Sequence, residues 1–177
     1  MGSEMCIRDS GGYVAAIRGA QLGLKVAIIE KEALGGVCLN WGCIPTKSFL
    51  RSAEVLKLIK ASEKYGIKSE VGNIDISEVV KRSRSIAKRL SSGVEYLLKK
   101  NKVEIFIGEA SFKSSKSIQI KSRNSSIKEI TSKNICIATG GRPRIISGVP
   151  NSSNIWFYKE ALQVDKIPSR LLVVGSG

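Results

Sequence analysis

Apolar residues follow different patterns in different stretches of the chain, and each pattern predicts an element. The near-continuous apolar run at residues 26–29 is typical of a strand buried on both faces of a parallel sheet. Small and apolar residues at helical spacing precede it over 13–22. Gly23 is expected to end this helix, because glycine adopts the left-handed conformation at little cost. This order predicts the later part of a β-α-β unit over 11–30.

Two longer helices follow in the pattern. The first is predicted from about Pro45 to Tyr65, since proline is tolerated in a first helical turn. The second is predicted from Ser77 to about Lys100, and its apolar positions fall mostly on one face, which favours core packing. A D-x-x-E pattern formed by Asp75 and Glu78 is typical of a helix N-terminus.

Strand patterns dominate the remainder of the chain. Alternating residues predict strands over 103–107 and 117–120, a turn over 122–126 and a returning strand over 127–130. A buried strand is predicted over 134–139, with Cys136 as a core residue without a redox role, and the glycines at 140–141 form the turn after it. The apolar run at 171–174 predicts a final strand that leads into G-x-G.

Length and composition exclude some classes of protein. A chain of 177 residues is long enough to bury a core. Its longest apolar run has strand length, far below the ~20 residues that span a bilayer. The first ten residues lack the apolar segment of a secretory signal. These features predict a soluble protein in the cytoplasm, with no membrane partner.

The charge balance leaves two interpretations. The chain has 29 Lys and Arg against 15 Asp and Glu, a net charge of +14. This excess fits either nucleic-acid binding or a solvated, lysine-rich surface. The basic residues are scattered without interleaved aromatic residues, which favours the second interpretation and argues against nucleic acid as a partner. The densest group, Lys99, Lys100 and Lys102, lies at a predicted helix C-terminus, where cations are favourable.

Candidate chemistry centres on two cysteines. Cys38 and Cys43 lie within the segment GGVCLNWGCIPTK at 35–47, beside glycines and just ahead of a predicted helix. A close pair of this kind in a reducing compartment is more often catalytic or metal-binding than structural. The chain has no histidine and no second pair at metal-ligand spacing, which weakens a zinc site. A reversible disulfide is therefore the favoured interpretation, and two buried reduced cysteines are the alternative.

An acidic residue also stands at a position typical of nucleotide-binding folds. Glu30 ends the strand predicted at 26–29 and follows Gly12 by 18 residues, the spacing of a carboxylate that binds ribose hydroxyls. A full fingerprint needs a strand and G-x-G ahead of that glycine. The opening MGSEMCIRDS is expected to supply neither.

The segment at 35–47 resembles the redox-disulfide signature of the pyridine nucleotide–disulfide oxidoreductases. Leu39 and Ile44-Pro45 resemble the members that act on lipoamide, whereas glutathione and mercuric reductases tend towards valine at the corresponding places. Weaker matches lie at 12–18 (first helix), 108–110 (a flavin-contacting turn), 138–140 (an ATG motif) and 173–177 (the opening of an NAD site). The resemblance covers roughly residues 11–177.

The resemblance implies an α/β fold: a Rossmann-like FAD-binding domain with a parallel sheet plus a small antiparallel β meander, incomplete at both ends. Residues 1–10 are expected to be a non-native segment, and 11–145 the FAD-binding domain with the redox disulfide. Residues 146–170 are expected to form a connection, and 171–177 the first strand and glycine turn of a truncated NAD-binding domain.

The implied activity is the oxidation of dihydrolipoamide, carried on a lipoyl domain of a 2-oxoacid dehydrogenase complex. Electrons would pass to the disulfide, then to FAD and to NAD⁺. Cys38 would exchange with the substrate and Cys43 would be the sulfur nearest the flavin. A homodimer partner would supply a His–Glu base, so the piece alone is expected to be inactive. The alternatives are a glutathione- or mercuric-reductase-like member, or a non-enzymatic basic module that binds thiols or nucleic acid.

The resemblance also implies the residues that hold FAD, while most of the NAD site lies outside this chain. Glu30 would accept the adenosine ribose hydroxyls, Gly12 would place a helix N-terminus under the pyrophosphate, and Lys47 would lie near the flavin N5 edge. The complete implied set is Gly12, Glu30, Lys31, Gly35, Gly36, Val37, Cys38, Lys47, Ala110, Ala138, Thr139 and Gly140.

Overall fold

Two β-sheets form the framework of the molecule. The computed structural model describes residues 4–7, 10–144, 146–150 and 152–175. A parallel sheet has the strand order β3-β2-β1-β7, and an antiparallel meander has the order β4-β5-β6. The strands are β1 (Glu4–Ile7), β2 (Val26–Glu30), β3 (Glu104–Ile107), β4 (Glu109–Ser114), β5 (Ser117–Lys121), β6 (Ile127–Thr131) and β7 (Asn134–Ile137).

The helices connect these strands. They are α1 (Ser10–Gln21), α2 (Gly36–Trp41), α3 (Cys43–Ala61), α4 (Ile76–Lys100) and α5 (Tyr158–Ala161), with a 3-10 turn at Ser62–Tyr65. The helix α3 packs along α4, and the Arg82 guanidinium on α4 donates to the Ser48 hydroxyl (2.8 Å) and carbonyl (3.2 Å) on α3. The fold confirms the predicted α/β class with a parallel sheet and an antiparallel meander.

The strand β2 forms the centre of the core, with all five residues buried. Successive side chains of a strand point to opposite faces. Val26 and Ile28 pack in a cluster with residues of α1, α2 and α4, whereas Ala27 and Ile29 pack against the meander strand β5. Burial on both faces explains why the sequence shows a continuous apolar run here rather than an alternating one.

The N-terminal part of the sheet differs from the sequence prediction. A strand, β1, forms at Glu4–Ile7 and pairs in parallel with both β2 and β7. The prediction that no strand precedes Gly12 is therefore wrong. Four residues suffice once two neighbouring strands offer backbone partners, although their sequence lacks a strong strand pattern. The absence of G-x-G before Gly12 is a property of the sequence and stands.

The redox segment is more helical than predicted. Residues 36–41 form the short helix α2, which the sequence analysis missed, and α3 begins at Cys43 rather than Pro45. Pro45 still lies within the first turn of α3, where its missing N–H has no helical acceptor. The sequence analysis also missed the strand β4, because the resemblance suggested a turn at 108–110. In the structure only Gly108 lies between strands, and residues 109 and 110 begin β4.

Two predictions for the later strands are corrected. Cys136 is exposed rather than buried, because β7 is the edge strand of the parallel sheet within the described residues. The strand predicted at 171–177 does not form at 171–175, and residues 176–177 lie outside the described residues. Leu171 to Val174 are 63 to 87% exposed, and no described strand pairs with them.

None of the helices in the described part of the chain combines the length and the apolar character needed to cross a bilayer.

Candidate cofactor and disulfide site

The two cysteines of the redox segment meet where α2 gives way to α3. Cys38 lies within α2, Cys43 is the first residue of α3, and the two form a disulfide with Cα atoms 4.9 Å apart. Gly42 connects the helices, and a Cβ atom there would lie 3.0 Å from the Cys38 Cα. A side chain at 42 would force its neighbours to shift by a few tenths of an ångström, so glycine favours the close meeting of α2 and α3 at the disulfide.

Hydrogen bonds fasten the beginning of α2. The buried Asn40 amide donates to the Leu34 carbonyl (2.9 Å) and to the Gly36 carbonyl (3.0 Å). The Leu34 carbonyl also accepts a hydrogen bond from the Ser91 hydroxyl on α4 (2.8 Å). The segment that carries Cys38 is thus attached to the long helix behind it.

The two sulfur-bearing residues have different surroundings. Cys38 is half-buried and lines a cavity of about 580 Å³. The wall of this cavity is mainly apolar and includes Tyr13, Leu39, Ile44, Leu90, Val94 and Leu97. Cys43 is exposed at the N-terminus of the 19-residue helix α3, where the positive end of the helix dipole favours negative charge on the sulfur.

A separate cleft of about 710 Å³ lies beyond the carboxyl ends of β2, β3 and β7. This edge of a parallel sheet is where open α/β folds bind ligands. Three chain segments line it after those strands, at residues 31–33, 108–110 and 139–143, together with residues of α2 and α5. Its volume falls in the range of small-molecule and cofactor sites.

Glu30 and Gly108 hold the strand ends at this cleft in place. The Glu30 side chain is 2% exposed, and its Oε1 accepts a hydrogen bond from the Glu32 backbone N–H (2.8 Å). The Gly108 N–H donates to the Glu30 carbonyl (2.8 Å). A Cβ atom at 108 would lie 2.7 Å from the Lys121 carbonyl oxygen, so glycine is required for the close passage of the chain beside β5.

Ion pairs border the cleft. Lys31 Nζ lies 2.6 Å from a Glu109 carboxylate oxygen, and Lys159 Nζ lies 3.1 Å from Glu32. The hydrogen bond from Lys31, reinforced by its charge, holds the pKa of the Glu109 carboxyl below its usual value. Both pairs are substantially exposed, so their main effect is to fix side chains at the mouth of the cleft rather than to stabilise the fold.

Trp41 joins the cleft to the redox segment. It is the last residue of α2 and also lines the cleft. The Arg84 guanidinium carbon lies 4.3 Å from the centre of the Trp41 ring, and Lys159 Nζ lies 5.4 Å from it. Burial lowers the pKa of the Arg84 guanidinium. From the sequence alone, packing is the favoured role of Trp41 and stacking near the disulfide is the alternative, since the residue lies between the two cysteines.

The structure brings together most of the predicted FAD residues. Six line the cleft: Lys31, Gly36, Val37, Ala110, Thr139 and Gly140. Glu30, Gly35 and Ala138 each directly precede one of these, and Cys38 lines the neighbouring apolar cavity. Gly12 is buried in the first turn of α1, and Lys47 is exposed on α3, both outside the lining of either cavity. Cleft residues that the sequence analysis missed include Glu32, Trp41, Arg142, Tyr158 and Lys159.

These residues suit a dinucleotide such as FAD. The cleft offers glycine backbone at Gly36, Gly108 and Gly140, which permits close approach of a phosphate or a ring. The carboxylate of Glu30 stands at the end of β2, the usual place of a ribose-binding acid, but it is buried and lies outside the lining of the cleft. The glycine backbone and the ion-paired side chains of the lining are of the kinds that a flavin nucleotide can use.

Comparisons with known proteins agree with the geometry. The family model for pyridine nucleotide-disulphide oxidoreductases matches residues 9–177. A dihydrolipoyl dehydrogenase of Zymomonas mobilis is 48% identical over 168 residues, and one of Chlorobaculum tepidum is 47% identical over 170 residues. Each match covers 94% of this chain but only 36% of the relative.

A more distant relative extends the same pattern. A dihydrolipoyl dehydrogenase of Bacillus subtilis is 36% identical over 177 residues, covering 95% of this chain and 37% of the relative. The chain therefore spans little more than a third of the length of the curated relatives it matches. With the disulfide, the parallel sheet and the cleft at its carboxyl edge, these matches show that the chain belongs to the pyridine nucleotide–disulphide oxidoreductase family.

Proposed function

We propose that this chain is the FAD-binding and disulfide-bearing part of an enzyme that oxidises dihydrolipoamide with NAD⁺ as the final acceptor. The observation that carries the proposal is the Cys38–Cys43 disulfide, in which only Gly42 separates Cys43 from Trp41, a residue that lines the nucleotide cleft. A bound FAD would accept the electron pair that the dithiol releases. The homodimer, the lipoyl-domain partner and a cytoplasmic location belong to this proposal as well.

The chain's own residues would bind and orient the cofactor. The Glu30 carboxylate would accept hydrogen bonds from the adenosine ribose, because it ends β2 beside the cleft. Backbone groups of Gly36, Thr139 and Gly140 would lie against the nucleotide. Lys47 would approach the flavin end, since it lies one helical turn after Cys43 on α3.

The surroundings of the two sulfurs support different roles. Cys38 lines the apolar cavity, which suits the aliphatic arm and dithiolane of a lipoyl group, so Cys38 would exchange with the substrate. Cys43 lies at the N-terminus of α3, where the helix dipole favours a thiolate, so it would be the sulfur next to the flavin. The relatives carry the name dihydrolipoyl dehydrogenase, which supports lipoamide over glutathione or a metal ion as substrate.

Titration of the chain with FAD tests cofactor binding. Replacing Glu30 by Gln should weaken FAD binding about tenfold, because hydrogen bonds to a charged acceptor are worth roughly 1.5–3 kcal/mol. Quenching of flavin fluorescence gives the dissociation constant. Glu54→Gln on the exposed side of α3 removes the same charge far from the cleft and should leave the constant unchanged. Equal affinities for Glu30→Gln and the unmodified chain would contradict the role of Glu30.

Trapping with lipoamide tests the roles of the sulfurs. In a Cys6→Ser, Cys136→Ser background, the thiolate of Cys38 in Cys43→Ser should attack lipoamide. The dithiolane S–S bond breaks, a Cys38–lipoamide disulfide forms, and the second lipoamide sulfur leaves as a thiol. Mass spectrometry should detect this adduct at least about ten times faster than in Cys38→Ser. Faster labelling of Cys43 would reverse the assignment.

A further inference from the structure

The helix α2 is held at both of its ends, and only the first attachment is a hydrogen bond. At the beginning of α2, the Leu34 carbonyl accepts from Ser91 on α4 and from Asn40. At the end of α2, Trp41 meets Arg84, also on α4, with 4.3 Å between the guanidinium carbon and the ring centre. The second attachment lies directly beside Gly42 and Cys43.

The Arg84 guanidinium packs on the face of the Trp41 ring. Its Nε and Nη2 atoms are buried and have no hydrogen-bond acceptor among the described residues. Arg84 as a whole is half-buried, and burying two guanidinium nitrogens without acceptors is costly unless another group offsets their lost hydration. Within the described residues, the face of the Trp41 ring is that group, since aromatic faces attract a guanidinium within about 6 Å of the ring centre.

A displacement of Trp41 would be transmitted through Gly42 to the disulfide. Gly42 follows Trp41 and lies so close to Cys38 that an added Cβ would stand 3.0 Å from the Cys38 Cα. The next residue, Cys43, begins α3. Because only Gly42 separates Trp41 from Cys43, a displacement of the Trp41 ring would change the 4.9 Å separation of the two cysteine Cα atoms.

We propose that Arg84 is a positioning residue for the redox disulfide, acting through its stack on Trp41. The stack holds the end of α2 where Cys38 and Cys43 can join, and so favours the closed disulfide over the open dithiol. Preorganisation of this kind reduces the ordering needed to form the bond. The inference rests on the proposed function only in taking the disulfide to be reversibly reduced.

Equilibration with dithiothreitol measures the effect. Two electrons and two protons pass from the reagent to the protein: the Cys38–Cys43 bond breaks and the cyclic reagent disulfide forms. Thiols are trapped with a maleimide and the fraction closed is read by mass spectrometry. Arg84→Gln should shift the equilibrium towards the dithiol by between about twofold and about thirtyfold, the range that separates an exposed from a desolvated cation–π contact. A tenfold shift corresponds to about 30 mV.

Matched variants separate this effect from a loss of charge or of folding. Arg89→Gln removes a cation from an exposed position on the same helix and should leave the equilibrium unchanged. In a Trp41→Leu background, Arg84→Gln should cause no further shift, because the stack is already absent. Arg84→Lys keeps the charge without the planar face, and it serves as the test if Arg84→Gln does not fold, as judged by circular dichroism.

The outcomes are distinct. An unchanged equilibrium in both Arg84 variants, a shift towards the disulfide, or an equal shift in Arg89→Gln overturns the role of Arg84. Failure of the unmodified chain to close and reopen the bond overturns the proposed function together with this inference. A shift confined to Arg84 variants that retain Trp41 supports both.

Discussion

At the scale of single residues, two glycines decide whether the site can form. Gly42 lets α2 and α3 meet at the disulfide, and Gly108 lets the chain pass beside the Lys121 carbonyl at the cleft. A Cβ atom would overlap backbone at 108 and would be tightly placed at 42. The geometry of the site therefore depends on the absence of a side chain at positions 42 and 108 as well as on the two sulfurs.

Replacing Gly108 by Ala should lower the free energy of unfolding by about 1–3 kcal/mol, because the added carbon would overlap backbone and force a shift. Gly93→Ala on α4 is the matched control, since nothing lies within 4 Å of the added atom. That change should raise the free energy of unfolding by about 0.5–1 kcal/mol through helix propensity. Urea unfolding measures both, and equal effects would contradict the steric argument.

The sequence revealed residues whose chemistry depends on local spacing. Cys38, Cys43 and Glu30 were proposed as candidates because a dithiol and a strand-end carboxylate occur at characteristic intervals. Arg84 was not found, since its contact with Trp41 joins α4 to α2 and no local pattern records such a meeting. For the same reason the ion pair between Lys159 and Glu32 emerged only from the fold.

At the scale of secondary structure, the long helix α4 begins at a well-formed cap. The Asp75 carboxylate accepts hydrogen bonds from the backbone N–H groups of Ser77 (2.9 Å) and Glu78 (3.3 Å) and from the Ser77 hydroxyl (2.6 Å). The sequence predicted this end because D-x-x-E is a local signal. The Glu78 carboxylate pairs with Lys81. In a full capping box it would instead accept a hydrogen bond from the backbone N–H of Asp75.

The cap makes helix stability depend on pH. The hydrogen bond from the Ser77 hydroxyl is the main cause that lowers the pKa of Asp75 from its ordinary value of 3.8. A carboxyl with a lowered pKa in the folded state stabilises fully above that ordinary value, and the contribution disappears as the pH falls through the folded value. Asp75→Ala should therefore destabilise the chain at neutral pH and make little difference well below pH 3.8.

Asp75→Asn separates capping from charge in the same experiment. Asparagine caps a helix about as well as aspartate, so this variant should keep most of the stability at neutral pH. It should also lose the acid dependence that Asp75 contributes. Urea unfolding followed by circular dichroism at several pH values measures both effects. An Asn variant as unstable as the Ala variant would show that charge, rather than the cap, supports α4.

Helices and turns with local signals were predicted more closely than strands that depend on partners. The cap at Asp75, the buried run of β2 and the turn at 122–126 all form as expected. The strands β1 and β4 were missed, because each is specified by a neighbouring strand rather than by its own sequence. The strand predicted at 171–174 does not form, because its apolar sequence favours a strand but no described strand pairs with it.

At the scale of the whole molecule, burial is concentrated around β2. Helices cover one face of the parallel sheet at β2 and the antiparallel meander covers the other. Leu171 to Val174 are mostly exposed, with Leu172 at 87%. The chain thus combines a central strand that is covered on both faces with a segment, 171–174, that is mostly exposed.

Hydrogen exchange should reproduce this division. Backbone amides of β2 should exchange only on global unfolding, since every residue of the strand is buried and it lies between β1 and β3. Amides at 171–174 should exchange within the shortest labelling time. Mass spectrometry of peptides from the two segments makes the comparison. Comparable protection would show that the apolar run has found a partner, through self-association or otherwise.

The doubly accepting carbonyl of Leu34 has a spectroscopic consequence. A carbonyl that receives two hydrogen bonds vibrates at a lower frequency than one that receives a single bond, because both donors draw electron density from the C=O bond. Carbon-13 placed in that one amide would set its infrared absorption apart from the rest of the backbone. The band would report movements of α2 when the disulfide opens and closes, without altering either sulfur.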